Sequence, residues 1–208
     1  MKNLPNILTV SRIFLVLVFV LVATLAEPYY FGKSTEQMYM VRWIAYIMVI
    51  LAGLTDLLDG YLARKFNIVS DFGALMDPLA DKIFVTGTML IAVEYRLMPA
   101  FIAVLVLCRE FMVTGLRTLA AKKQVVISAD RWGKLKTAMQ MSMLGIAGIA
   151  WVIEGNNSEP YFYNTCIGGV RIWYVWMGYL TIIVLVTLLS GLGYFIRYRK
   201  LFTDQLGE

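Results

Sequence analysis

Long apolar runs broken by short polar segments set the rhythm of this chain. The run from Ile13 to Ala26 is uniformly apolar and predicts a first membrane span beginning a little upstream, since roughly 20 apolar residues cross the hydrocarbon core. Ahead of it, Met1 to Ser11 reads as an interfacial segment. Leu4, Ile7, Leu8 and Val10 face lipid there, and Asn6, Thr9 and Arg12 are turned away. Further spans are expected from about Tyr39 to Tyr61, Phe72 to Glu94, Met98 to Ala121, Trp132 to Ile153 and Ile172 to Tyr194. Polar loops separate them, the last running from Glu154 to Arg171. Pro78 falls inside the third span, where it removes a backbone donor and should kink the helix beside Asp77. The pattern predicts an all-α, polytopic membrane protein with six transmembrane helices and a short N-terminal interfacial helix, built as one domain over residues 1–208.

Charge placement adds an orientation. With six spans, Arg64-Lys65, Lys122-Lys123, Arg131 to Lys136 and Arg197 to Lys200 all fall on the side of the two termini. The positive-inside rule makes that side cytoplasmic, as in an integral plasma-membrane protein of the bacterial inner-membrane type. This bias, with anionic lipid or substrate, accounts for the net charge of +5, and nucleic acid is not expected as a partner. No small-residue cleavage site follows the first apolar run, so a retained span is expected instead of a signal peptide. Histidine is absent, which excludes imidazole bases and His-ligated zinc. Cys108 and Cys166 fit no metal spacing. Any metal must therefore be held mainly by oxygen, which favours Mg²⁺ or Mn²⁺.

Four carboxylates stand out against this background. Asp56 and Asp59 lie three apart, Asp77 and Asp81 four apart, so each pair shares a helix face near the cytoplasmic ends of spans two and three. Gly60, Ala63 and Gly73 leave those faces smooth enough for a ligand to approach the backbone. Arg64 adds a fixed positive charge suited to phosphate oxygens. Carboxylates converging from two helices can bind divalent metal, and metal can clamp a pyrophosphate during displacement at phosphorus. Without histidine, a carboxylate must also accept the proton of an attacking hydroxyl. Two other readings remain open here: ion pairing with Arg64, Lys65 and Lys82, or a proton or cation relay in a small transporter.

The run Asp56-x₂-Asp59-Gly60-x₂-Ala63-Arg64-x₈-Gly73-x₃-Asp77-x₃-Asp81 resembles, without departure, the signature of the CDP-alcohol phosphatidyltransferase family. Length, six expected spans and cytoplasmic acids extend the resemblance over nearly the whole chain. It implies transfer of a substituted phosphoryl group from a CDP-linked donor to an acceptor hydroxyl with release of CMP, divalent metal as cofactor, and a homodimer. On this chain it implies metal at Asp56, Asp59, Asp77 and Asp81, with Asp81 as general base. Gly60, Ala63, Arg64 and Gly73 would line the CDP site, with Asn6, Thr9 and Arg12 nearby.

The acceptor has to be read from charges outside the signature. Arg109 and Arg117 are two turns apart on span four, Glu110 stands beside Arg109, and Lys134 and Lys136 open span five. Such a concentration of cations suits an acceptor carrying phosphate better than choline, ethanolamine or inositol. Helix-to-helix ion pairs and snorkelling to lipid headgroups are the alternative uses of these residues. The segments 4–12, 109–117 and 133–137 resemble the bacterial branch of the family that phosphatidylates glycerol phosphate. That implies CDP-diacylglycerol as donor, sn-glycerol 3-phosphate as acceptor and the lipid bilayer as their setting. Serine- or phosphatidylglycerol-accepting relatives are the rival within the family. Gly145 and Gly148, or Gly191 and Gly193, offer places for close helix packing.

Overall fold

The computed structural model describes residues 4–26, 35–66, 71–122, 124, 131–153, 165–167 and 169–198. Among the described residues six helices run in chain order: α1 (Leu4–Leu25), α2 (Thr35–Phe66), α3 (Asp71–Glu94), α4 (Ala100–Lys122), α5 (Arg131–Ile153) and α6 (Ile172–Tyr198). Four of them contain stretches long and apolar enough to cross a membrane: Asn6–Leu25, Glu36–Thr55, Gly133–Ile153 and Ile172–Tyr198. The other two, α3 and α4, are of spanning length at 24 and 23 residues but carry the acids and arginines singled out above. The interfacial segment and first span expected separately form one unbroken helix, because no glycine or proline interrupts the chain between Ser11 and Ile13. α3 runs through Pro78 as a single helix.

The chain divides into two compact units, residues 1–97 with 146–161, and residues 98–145 with 162–208. In the first, α1 packs along both α2 and α3. Its buried stripe is Thr9, Arg12, Val16, Phe19, Ala23 and Ala26, and its exposed stripe is Ile7, Val10, Phe14, Leu17 and Leu21. Both repeat at alternating spacings of three and four, the period of one helix face. The polar Thr9 and Arg12 are inside with Val16 and Phe19, and the exposed stripe is wholly apolar, the arrangement expected against lipid. α1 and α3 run parallel: Thr9 meets Asp77, Arg12 meets Asp81, and the Tyr95 hydroxyl donates to the Ala23 carbonyl at 2.8, 3.1 and 2.7 Å. Gly87 permits the approach, since a Cβ there would stand 3.1 Å from Val16 and 3.2 Å from Val20.

α3 stops in a Schellman turn, with Leu97 N–H donating to Ala92 O, Arg96 N–H to Val93 O, and Arg96 in the left-handed region at φ 58°. Arg42 lies inside α2 with 3% exposure. Rings of Tyr95 and Trp151 sit 5.3 and 5.9 Å from its guanidinium carbon, and its Nη1 donates to the Trp151 carbonyl. Such a cage offsets the cost of burying the charge.

One glycine in this unit is decisive. A Cβ on Gly148 would lie 2.4 Å from Cε2 of Tyr46, so α5 meets α2 through a notch that only glycine supplies. Gly148→Ala should lower stability by about 1–3 kcal/mol, read as an earlier thermal transition in detergent. Tyr46→Leu in the same chain should recover part of the loss, and equal melting of wild type and Gly148→Ala would contradict the notch.

In the second unit, α4 lies against α6. Val113, Leu116 and Tyr194 form its core, with Phe195 and Tyr198 packed alongside. α4 and α6 run parallel, joined by Arg109–Ser190 and Arg117–Tyr194 contacts, while α5 runs antiparallel to α6 through the 2.6 Å Ser142–Tyr179 bond. A two-residue-strand hairpin, β1 (Cys166–Ile167) with β2 (Val170–Arg171), leads into α6 and pairs Cys166 with Arg171. Gly169 turns it at φ 83°.

Candidate functional site

α3 presents Asp77 and Asp81 one turn apart, and both are exposed. Each is tied at one carboxylate oxygen to a buried partner on α1: Thr9 Oγ1 donates to Asp77 Oδ1 at 2.8 Å, and Arg12 Nη1 to Asp81 Oδ1 at 3.1 Å. Thr9 and Arg12 are each 1% exposed, whereas the Asp81 side chain is 57% exposed. Gly73, one turn before Asp77, is buried, and Asn6, one turn before Thr9, is half-buried. The backbone of α2 continues helically through positions 56–64, so Asp56 and Asp59 share a face by register. The side chains of Asp56, Asp59, Gly60, Ala63 and Arg64 lie outside the described residues.

The described half of this site suits a hard divalent cation. Its donors are carboxylate oxygens, held in place yet open to solvent. Among the described residues no group of three or more His, Cys, Asp or Glu side chains converges.

Within the second unit the cations predicted from sequence divide. Arg109 is buried, its Nη2 donating to Ser190 Oγ at 2.7 Å and its Nη1 to Glu110 Oε1 at 3.4 Å. Lys136 is buried too and bonds the same Glu110 oxygen. Arg117 is exposed, reaching the Tyr194 hydroxyl at 3.2 Å with its guanidinium 5.6 Å from the ring centre. Eight helical residues leave about an 80° offset, which is why Arg109 goes inside and Arg117 stays at the edge. Lys134 is exposed, two positions from Lys136 and so turned to another face of α5. Glu110 thus binds Arg109 and Lys136, with Arg117 held separately by α6.

Ser190 and Tyr194 are neighbours of these cations that sequence reading passed over, while Gly191, noted there as a place for close helix packing, does pack closely. A Cβ on Gly191 would come 2.9 Å from Cγ of Arg109, so this glycine is a seat for the arginine stem. A signal was present: Thr187, Ser190, Gly191 and Tyr194 repeat at three-and-four spacing on one face of an otherwise apolar helix.

The family model for CDP-alcohol phosphatidyltransferases matches residues 2–189. The chain belongs to the CDP-alcohol phosphatidyltransferase family. Among curated members, it is 33% identical to the CDP-diacylglycerol–glycerol-3-phosphate 3-phosphatidyltransferase of Rickettsia typhi over 195 residues, 94% of this chain and 96% of the relative. Relatives with the same name include those of Bacillus subtilis, 39% identical over 68% of this chain and 74% of the relative, and Mycoplasma pneumoniae, 37% identical over 80% and 75%. As a CDP-alcohol phosphatidyltransferase, the chain is a transferase of phospholipid biosynthesis with apolar helices fitted to a membrane.

Proposed function

We propose that the chain transfers the phosphatidyl group of CDP-diacylglycerol to sn-glycerol 3-phosphate, giving phosphatidylglycerophosphate and CMP. The observation that carries this is a site with the family's paired aspartates, in a chain aligned over nearly its full length with relatives of that activity. Six spans acting as one functional domain are supported by helix directions within each unit. Parallel α1/α3 and α4/α6 contacts and antiparallel α2/α5 and α5/α6 contacts are what strict alternation across a bilayer requires. With the positive-inside bias, both termini and the aspartates then face the cytoplasm of an inner membrane. We also propose a homodimer, as the family resemblance implies.

In this mechanism Gly60, Ala63, Arg64 and Gly73, with Asn6 of α1, receive the CDP moiety while the acyl chains stay in the bilayer. Asp56, Asp59, Asp77 and Asp81 would hold Mg²⁺ or Mn²⁺, which would supply charge neutralisation for the pyrophosphate. Asp81 takes the proton of the acceptor hydroxyl as its oxygen bonds to the lipid-bearing phosphorus. The bridging P–O bond breaks and CMP carries away the electron pair. Arg109, Arg117 and Lys136 receive the acceptor's phosphate, and Lys134, on a neighbouring face of α5, adds positive charge at its opening turn.

CMP release by the purified chain tests this reading, with CDP-diacylglycerol as donor and glycerol 3-phosphate, serine, inositol or phosphatidylglycerol as acceptor. Release should require glycerol 3-phosphate. Arg117→Ala should raise its KM about 10-fold or more, the loss of one charged hydrogen-bonding partner, and leave the KM for CDP-diacylglycerol unchanged. Release with another acceptor would keep the family chemistry and discard this use of the cations. Cation flux without CMP formation would favour the transporter.

A further inference from the structure

We infer that Thr9 and Arg12 are positioning residues for Asp77 and Asp81, so that α1 acts on the reaction through the carboxylates it holds and not by touching the nucleotide. The inference rests on the reading of those acids as metal ligands.

The geometry is specific. Thr9 and Arg12 are three apart on α1, Asp77 and Asp81 four apart on α3, and the two parallel helices bring both pairs into register at 2.8 and 3.1 Å. Gly87 lies further along the same contact, where an added Cβ would stand only 3.1 Å from Val16 and 3.2 Å from Val20. Burial is asymmetric: the two donors are 1% exposed and the Asp81 side chain 57%. A donor so enclosed is fixed by packing, and it fixes the mobile carboxylate in turn.

Thr9 donates across to a side chain 68 residues away, on a different helix. Arg12 in turn brings a charge into a buried position, a cost that its pairing with Asp81 offsets. Carboxylates that bind metal depend on such outer partners for orientation, and losing one costs roughly 10–100-fold in affinity or activity.

The test measures Mn²⁺ binding by electron paramagnetic resonance on the full purified chain in detergent, with no donor or acceptor present. Wild type should bind Mn²⁺, and Asp77→Asn should abolish binding. Thr9→Val should weaken it about 10-fold, Thr9→Ser should restore it, and Arg12→Lys should weaken it severalfold. At saturating Mn²⁺ the KM for CDP-diacylglycerol should be unchanged in all three. Wild-type Mn²⁺ affinity in Thr9→Val and Arg12→Lys, with a raised KM for CDP-diacylglycerol, would overturn the inference and make both residues nucleotide contacts. Absence of Asp77-dependent Mn²⁺ binding in wild type would overturn the metal-site reading and the inference with it, a result separable from the first. Should Thr9→Val fail to fold, Arg12→Lys alone decides by the same readout.

Discussion

Replacing Asp81 by Asn should lower the rate of CMP release by about 10²–10⁴-fold, the range that a positioned general base contributes. Asparagine keeps the size of the side chain and an oxygen that can accept the 3.1 Å bond from Arg12, so the change is aimed at charge and proton affinity. Folding should suffer less than in a fully buried pair, because Asp81 is 57% exposed at its side chain and solvent screens the lost charge. Asp77→Asn should match the loss in turnover, since its carboxylate occupies the same face one turn earlier. EDTA should abolish release from the wild type, and Mg²⁺ or Mn²⁺ should restore it. The measurement is initial-rate CMP formation beside a melting curve for each variant. Turnover at the wild-type level in Asp81→Asn would remove this residue from the chemistry, and the proton would need another acceptor.

Much of this site was legible before any coordinates because its geometry is local. Spacings of three and four place two carboxylates on a helix face whatever the tertiary context. The turning of Thr9 and Arg12 away from lipid likewise followed from the period of α1, and both are buried. Their partners were not legible. Nothing local to Thr9 names Asp77, which is 68 residues on, and the pairing exists only because α1 and α3 run parallel. Arg42 shows the same limit: its cage is built by Tyr95, in the turn after α3, and Trp151 of α5, both far from it in sequence. Helix ends moved for a related reason. α6 reaches Tyr198, past the expected end at Tyr194, because Tyr194 and Tyr198 stack one turn apart and Tyr198 packs against the α4–α6 core. The hairpin at 166–171 was hidden in a polar loop, although Gly168-Gly169 is a turn signal.

Glu110→Ala should be the most destabilising change in the second unit, costing about 3–5 kcal/mol, the range for removing one partner of a buried ion pair. Arg109, Glu110 and Lys136 are all buried, and the single Glu110 carboxylate serves both cations. Without it two positive groups would face each other away from solvent. A carboxylate amid residues assigned to an acceptor phosphate looks contradictory until the charges are weighed. Two buried cations against one anion leave one net positive charge, and Arg117 at the edge raises it to two, matching a phosphate of about −1.5 to −2. Glu110 therefore makes the cations affordable in the apo protein without cancelling their attraction for the ligand. The decisive comparison adds Glu110→Leu with Lys136→Met, which removes charge from both sides and leaves Arg109 its bond to Ser190. Thermal unfolding in detergent should place this double variant well above Glu110→Ala, because replacing a buried pair by apolar groups is often neutral. Its KM for glycerol 3-phosphate should nonetheless rise, since Lys136 is gone. If Glu110→Ala melts with the wild type, the carboxylate is not what holds these cations, and their geometry must come from α6 alone.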